Sequence, residues 1–336
     1  PQIFTEMRRA GNEYCAMLYK QRRFSQTEAE QFIFPESLSD FRASHRTSYL
    51  SNLIAGCWNF YIMNDVRPFL DFELARVLYP NARYECSSVG LMQPYIMHNI
   101  LGCDILQMLD IDWRIHATHW RMLELYGQLR FRDRTQALEA IKELEPGWIA
   151  FAGPLRRKNS VTLATLCRHN RDLCLDHLVR FQASVRKLDG IRMDLAALHD
   201  GVYALGDASR SNRSSRTDAD GKEFLKVIYL SNAIEGVYTT RAQFDLLLAR
   251  VAGQLPPGGR AVYIYHAAGT RALGFYEQTQ SADAPKGYTV TTVCKDQYRR
   301  RDANNELEAY TTHFERITAN QRPGSCQAEL QKARLL

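Results

Sequence analysis

The chain has 336 residues, 45% hydrophobic and 24% charged, a globular composition long enough for one large domain with an insertion or for two domains. Its 43 basic and 37 acidic residues leave a formal charge of +6, which permits an anionic ligand without demanding nucleic acid. No run reaches the roughly 18 apolar residues of a membrane span, and the opening PQIFTEMRRAGNEY lacks the apolar core of a secretory signal.

Residues 5–34 read as an amphipathic helix, with Met7, Tyr14, Met17 and Leu18 apolar among charges. Tyr49–Met63 is apolar and aromatic-rich and predicts a buried helix, with a helix that also covers a ligand as the alternative; Pro68, at the end of Asn64-Asp65-Val66-Arg67-Pro68, limits it. Phe69–Leu78 is helical again, and Pro80-Asn81 is a turn. Residues 1–80 are thus expected to form an N-terminal helical cover.

The next stretch is the most informative. Ala82–Cys86 has strand character, Ser87-Ser88-Val89-Gly90 is small and turn-prone, and Met92–Leu101 has helical spacing that Gly102 closes. Ile105–Leu109 is a second apolar strand ending at Asp110. Strand, turn, helix and a strand ending on an acid open a nucleotide-binding α/β unit. Asp110 lies twenty residues after Gly90, about the spacing at which an acid reaches a ribose hydroxyl. One glycine stands where the dinucleotide fingerprint has three.

Thr118–Leu129 reads as a helix, and Ala137–Leu144 and Val161–Arg186 have helical periodicity, with Gly147–Gly153 a short strand between them. Structureless loops of such length are rare in compact domains, so 130–188 is read as an inserted helical cap. Gly190–Leu195 is a strand. Residues 206–221, rich in Ser, Asp and Arg, bury too little to offset their ordering entropy and read as a flexible loop. Phe224–Leu230 is a buried strand running into Ser231-Asn232-Ala233-Ile234-Glu235. A helix over Thr240–Leu255 follows, with Thr239 or Thr240 as its N-cap. Pro256-Pro257-Gly258-Gly259 is a turn and Arg260–His266 a strand. Tyr288–Val293 and Glu308–Ile317 read as final strands, the latter also compatible with helix, and 321–336 as a C-terminal tail.

Two further patterns are read without chemistry. His116 and His119 share a helical face but lack a third ligand, so an ordinary surface pair is expected and no metal. Arg156-Arg157-Lys158, without interleaved aromatics, is a solvated face. The eight cysteines, Cys15, Cys57, Cys86, Cys103, Cys167, Cys174, Cys294 and Cys326, form no CxxC pair, so reduced thiols and a cytoplasmic setting are expected.

A strand ending in an acid, a later strand with SNAIE at its carboxyl end, and then LPPGGRAVYIYH resemble the class I S-adenosylmethionine (SAM) methyltransferase fold. The resemblance covers 81–112 and 190–320. SSVG, helix, LDID and then YLSNAIE is similar to the branch that moves the 3-amino-3-carboxypropyl arm of SAM. That branch includes betaine-lipid-forming transferases and enzymes that cyclise SAM to azetidine-2-carboxylate. The resemblance implies a mostly parallel Rossmann-like sheet over 81–129 and 189–320, with an antiparallel strand near the C-terminus. It implies an enzyme using SAM as substrate, acting on a small molecule or on SAM alone and releasing 5′-methylthioadenosine, with no metal and no nucleic-acid partner. N- or O-methyl transfer releasing S-adenosylhomocysteine is the alternative.

In such a sheet ligands bind outside the carboxyl ends of the strands, where strand order reverses. Ser87, Ser88 and Gly90 follow the first strand and, with the next helix N-terminus, suit the methionyl carboxylate. Asp110 is assigned the ribose, with Asp112 as second choice. Asp194, after the third strand, is assigned the adenine amine, although a short acid there also suits a helix cap. Ser231 and Asn232 are placed at the sulfonium and reacting centre, Asn232 as acceptor for a neutral amine nucleophile, with Glu235 in the next turn. Tyr61, Tyr229 and Tyr238 are candidates to pack on the cation, an attraction of about 0.5–2 kcal/mol. The expected catalytic set is therefore Asn232, Ser231, Tyr229 and Tyr238.

Overall fold

The computed structural model describes residues 63, 65–110, 115, 119, 122–124, 132–140, 171–185, 190–194, 223–235, 239, 241–267, 269–301 and 307–336. The N-terminal helix over 5–34, Tyr61, Asp112, His116, the 147–153 strand, the Arg156-Arg157-Lys158 run, the 206–221 loop and Tyr238 lie outside the described residues. The chain divides into two units, one of residues 64–89, 93–109 and 187–336, the other of 1–63, 90–92 and 110–186.

The first unit is built on a seven-stranded sheet. Its elements are α1 (Pro68–Leu78), β1 (Ala82–Val89), α2 (Gln93–Leu101), β2 (Ile105–Leu109), β3 (Gly190–Asp194), β4 (Glu223–Ser231), α3 (Arg241–Gln254), β5 (Arg260–His266), β6 (Leu273–Gln280) and β7 (Tyr288–Lys295). The spatial order is β3-β2-β1-β4-β5-β6-β7. β3, β2, β1, β4 and β5 pair in parallel, and β6 runs against both its neighbours. This is a mixed α/β sheet compatible with a Rossmann-like fold. Its order reverses between β1 and β4, the position at which such sheets bind ligands.

Strand alternation sorts the residues onto two faces. On one face Ile228, Leu230, Tyr263, Tyr265 and Tyr276 meet Phe244, Leu247, Leu248 and Val251 of α3 and Phe314 in a single apolar cluster. Tyr229, Ile264 and His266 lie on the opposite face, where α1 buries Phe72, Leu74 and Ala75 and packs on α2. In the turn before β5 a Cβ on Gly259 would fall 2.7 Å from the Pro256 ring, so only glycine fits the turn closed by the Gly259 N–H on Pro256 O.

Four expectations are corrected here. First, Ser87 and Ser88 are not in a turn. They are interior residues of β1, paired to Gln107 and Met108 on one side and to Ile228 and Tyr229 on the other. Small residues suit a central strand buried on both faces, and Gly90 (φ 87°) is the first residue past it. Second, β6 is a strand that the pattern does not announce. Gly274, Glu277 and Gln278 interrupt its apolar alternation, but Gln278 is fully buried and satisfied by the Tyr263 hydroxyl and Leu248 O (2.7 Å). Third, Glu308–Ile317 is not one strand. It splits into β9 (Leu307–Ala309), paired with β8 (Arg299–Arg301), and a short helix α4 (His313–Ile317). Thr312 ends the extended run because its side chain and that of Glu315 form a reciprocal capping box.

Fourth, the described cysteines are not reduced. Cys86 is bridged to Cys103 and Cys294 to Cys326, Cys174 is also bridged, and no described cysteine is free. Sequence spacing hid the pairs because their separations are 17 and 32 residues and the sheet brings them together. The second bridge fastens the segment read as a tail, which carries helix α5 (Cys326–Lys332). That segment also closes the free side of β7: the Lys295 N–H donates to Gly324 O (3.0 Å), the Thr292 N–H to the Gln321 side chain (2.6 Å), and Gln321 Nε2 to Val290 O (3.1 Å).

The second unit contributes helical residues 134–140 and the helix α6 (Arg171–Ser184). Ala137 and Ala140 are buried, as are Cys174, Leu175, Leu178 and Phe181 at helical spacing. Arg134 pairs with Asp176 at 2.6 Å and Asp172 at 3.3 Å across the two helices. The expected helical character of 130–188 holds in these described parts. No helix among the described residues is long and apolar enough to cross a membrane.

Candidate functional site

The site is assembled at the carboxyl end of β4 by residues from four places in the sequence. Ser231, the last residue of β4, has φ 47°, the left-handed region that non-glycine residues rarely occupy, and a register shift against β5 begins there. The Ser231 hydroxyl donates to Asp65 Oδ1 at 2.6 Å, with Asn232 Oδ1 at 3.3 Å as its other acceptor. The second Asp65 oxygen accepts from Gln93 Nε2 at 2.8 Å, from the first residue of α2. Asp65 is 4% exposed, and every described partner of its carboxylate is a neutral donor.

Beside it lies a second buried acid with its own cation. Asp71 is fully buried on the apolar stripe of α1, and its Oδ2 lies 2.6 Å from His266 Nδ1, itself fully buried at the end of β5. The Tyr229 hydroxyl donates to the same Asp71 oxygen at 3.3 Å and also interacts with Asp65. Burial raises the Asp71 carboxyl despite the opposing pull of His266. Burial alone lowers the imidazole, but the Asp71 carboxylate and then Asp65 outweigh it and push His266 up to about 9. Both shifts act to retain a proton in the Asp71–His266 pair at neutral pH. Asp71 Oδ1 is buried without a hydrogen-bond partner, and Asp71 borders a shallow cleft with Arg67, Leu70 and Arg271.

After Ser231 the chain turns tightly. The Ala233 N–H donates to Leu230 O (2.9 Å) and the Glu235 N–H to Asn232 O (3.0 Å). The Thr239 hydroxyl is taken by Ala233 O (2.7 Å). Asn232 is half-buried. Glu235 is buried and accepts from the hydroxyls of Tyr265 (3.0 Å) and Tyr298 (3.4 Å), so it belongs to the aromatic side of the sheet.

In the other unit, the Asp110 carboxylate accepts from the Gly90 N–H at 3.2 Å, and His119 Nε2 lies 3.3 Å from Gly90 O. His119 is fully buried, which corrects its expected place on the surface.

The expected residues therefore separate. Ser231 and Asn232 stand together at the end of β4. Gly90 and Asp110 are joined by a hydrogen bond. Ser87 and Ser88 are withdrawn: both lie in the ladder, Ser87 donates to Gln107 Oε1 (2.8 Å) and Ser88 to Val89 O (3.1 Å). Tyr229 is close by, but its ring is fully buried against Phe72 (centroids 4.9 Å apart), so its hydroxyl and not its face serves the site. Asp194 ends β3 opposite Leu109. Asp112, Tyr61 and Tyr238 lie outside the described residues.

Asp65, Asp71, Gln93 and His266 were not foreseen. Two of them carried a signal. Asp71 falls on the buried stripe of α1 with Phe72 and Ala75, and His266 continues the inward alternation of Val262 and Ile264. A titratable group on an apolar face is costly unless paired, and each is the other's partner. Asp65 and Gln93 carried none, because their role depends on where two helix starts meet a strand end. No family model matches this chain, and no curated protein matches it.

Proposed function

We propose that this protein is a SAM-dependent enzyme acting at the sulfonium on a small molecule. The chemistry favoured is use of the 3-amino-3-carboxypropyl arm, by transfer to an amine or by closure onto the arm's own amine. One observation carries the reading. Two buried carboxyls, Asp71 and Asp65, share the single imidazole of His266 at the carboxyl end of β4, and the hydrogen-bond partners of Asp65 are neutral. Buried acids outnumbering their cation are costly, and a cationic ligand offsets that cost. Sulfonium and ammonium groups are such cations, and Ser231 and Asn232 stand beside Asp65. The disulfides favour folding in an oxidising compartment over the cytoplasm expected from the sequence.

The test is incubation with SAM alone, followed by mass spectrometry of the nucleoside product. Methylthioadenosine is the expected product. S-adenosylhomocysteine formed only with an added acceptor would replace the favoured chemistry by methyl transfer. Absence of SAM binding by calorimetry would remove the proposal altogether.

A further inference from the structure

An amine nucleophile reaches a neutral-pH site as ammonium and must lose a proton before it can attack, so the reaction proposed above needs an acceptor. We propose that Asp65 is that general base, and that His266, tied to Asp71 and to the Asp65–Val66 peptide, is its positioning residue. The inference rests on the amine reading of the site.

The arrangement around His266 is built for two protonation states. Nε2 has a donor, the Val66 N–H, at 3.2 Å and an acceptor, Thr270 O, at 3.1 Å. As imidazolium the ring donates to Asp71 and to Thr270 O. As neutral imidazole it keeps the Asp71 bond and accepts from Val66. The ring nitrogens are satisfied in either state without moving the ring, while the Val66 N–H has Nε2 as acceptor only when the ring is neutral. The amide that senses the change belongs to the Asp65–Val66 peptide itself. The charged and titratable groups around the ring are Asp71 from α1, Asp65 just before it and Tyr229 from β4. Arg67 and Arg271 line the cleft beside Asp71, where α5 adds the neutral Gln327 and Leu330. With His266 charged, Asp71 is neutralised and ceases to repel a negative charge on Asp65. Ser231 and Gln93 then hold that carboxylate in one orientation.

Asp65 takes one proton from the ammonium nitrogen. The freed lone pair attacks the methylene carbon bonded to sulfur, the C–N bond forms, and the C–S bond breaks with its electron pair going to sulfur. Methylthioadenosine leaves. In the intramolecular case the ring nitrogen keeps two hydrogens and a positive charge, and the proton on Asp65 passes to solvent.

Two measurements test this. The first needs no turnover: NMR titration of the His266 imidazole in labelled protein. Asp65→Asn should lower its midpoint by on the order of one pH unit, because a neighbouring negative charge is lost. The second is the pH–rate profile for methylthioadenosine release. Asp65→Asn should lose about 100-fold or more in kcat with a smaller change in KM. His266→Gln should move the acid limb to higher pH. If Asp65→Asn does not fold, Ser231→Ala, which strips a donor from the carboxylate, should move the same limb in the same direction. An unmoved His266 midpoint, or an acid limb fixed while kcat drops equally at every pH, would overturn this inference in a protein that still turns over SAM. A coupled titration in a protein that neither binds nor converts SAM would overturn the functional reading and the base assignment with it.

Discussion

Ser231 joins the backbone of the sheet to the buried acids, and its two roles can be separated. Ser231→Ala removes a hydrogen bond to a charged group, worth about 1.5–3 kcal/mol, and keeps the left-handed strain. Ser231→Gly removes the same bond but adopts φ 47° freely, so in urea denaturation it should retain about 0.5–1 kcal/mol more stability than the alanine variant. His266 sets a pH dependence. Its folded value, about 9, lies above the ordinary 6.5, so its contribution is complete below about 6.5 and is lost as pH climbs through about 9. The raised Asp71 acts with the same sign. Stability of the wild type relative to His266→Gln should therefore shrink between about pH 6 and about pH 10, by an amount on the order of 3 kcal/mol. A difference that stays constant across that range would show that the pair holds no extra proton. At Asp110, replacement by Ala should weaken SAM binding about tenfold or more by calorimetry if the carboxylate takes ribose hydroxyls.

At the level of elements, α4 shows how a five-residue helix earns its place. Its Phe314 stacks on Tyr276 at 4.3 Å and meets Phe244 edge-on at 4.7 Å and Tyr263 at 5.0 Å. Phe314→Ala should cost about 3–5 kcal/mol in chemical denaturation. Thr312→Ala, which opens the capping box, should cost about 1 kcal/mol. Among the parallel strands, β2, β4 and β5 were legible because they are apolar runs: β2 ends at Leu109 and β5 spans Arg260–His266 as read. β6 and α4 were not, since their identity comes from partners distant in sequence, Gln278 from Tyr263 and Phe314 from three rings on other elements. The site divides likewise. Ser231, Asn232, Gly90 and Asp110 follow strands and could be found by position. Asp65 precedes α1 and Gln93 opens α2, and both acquire meaning only when those helices are packed. Ser87-Ser88 misled because small polar residues suit both a turn and a doubly covered strand.

For the whole molecule, the disulfides convert a stability question into an environmental one. The Cys294–Cys326 bridge closes a separation of 32 residues, for which a stabilisation of about 2–4 kcal/mol is typical. A reductant strong enough to open buried bridges should lower the melting temperature, and a Cys294→Ser, Cys326→Ser double variant should melt lower by a similar amount without reductant. The same bridge fixes the segment whose Gln321 and Gly324 occupy the outward hydrogen-bonding groups of β7. Released, β7 would present a row of unsatisfied amides and carbonyls with Thr289, Thr291 and Val290 along it, an open template for a strand from another molecule. The double variant should therefore self-associate with rising concentration in sedimentation velocity while the wild type does not. By this reasoning the last sixteen residues act as a built-in terminator of sheet growth, and oxidation of one cysteine pair decides whether the sheet stops at seven strands or recruits an eighth from a neighbour.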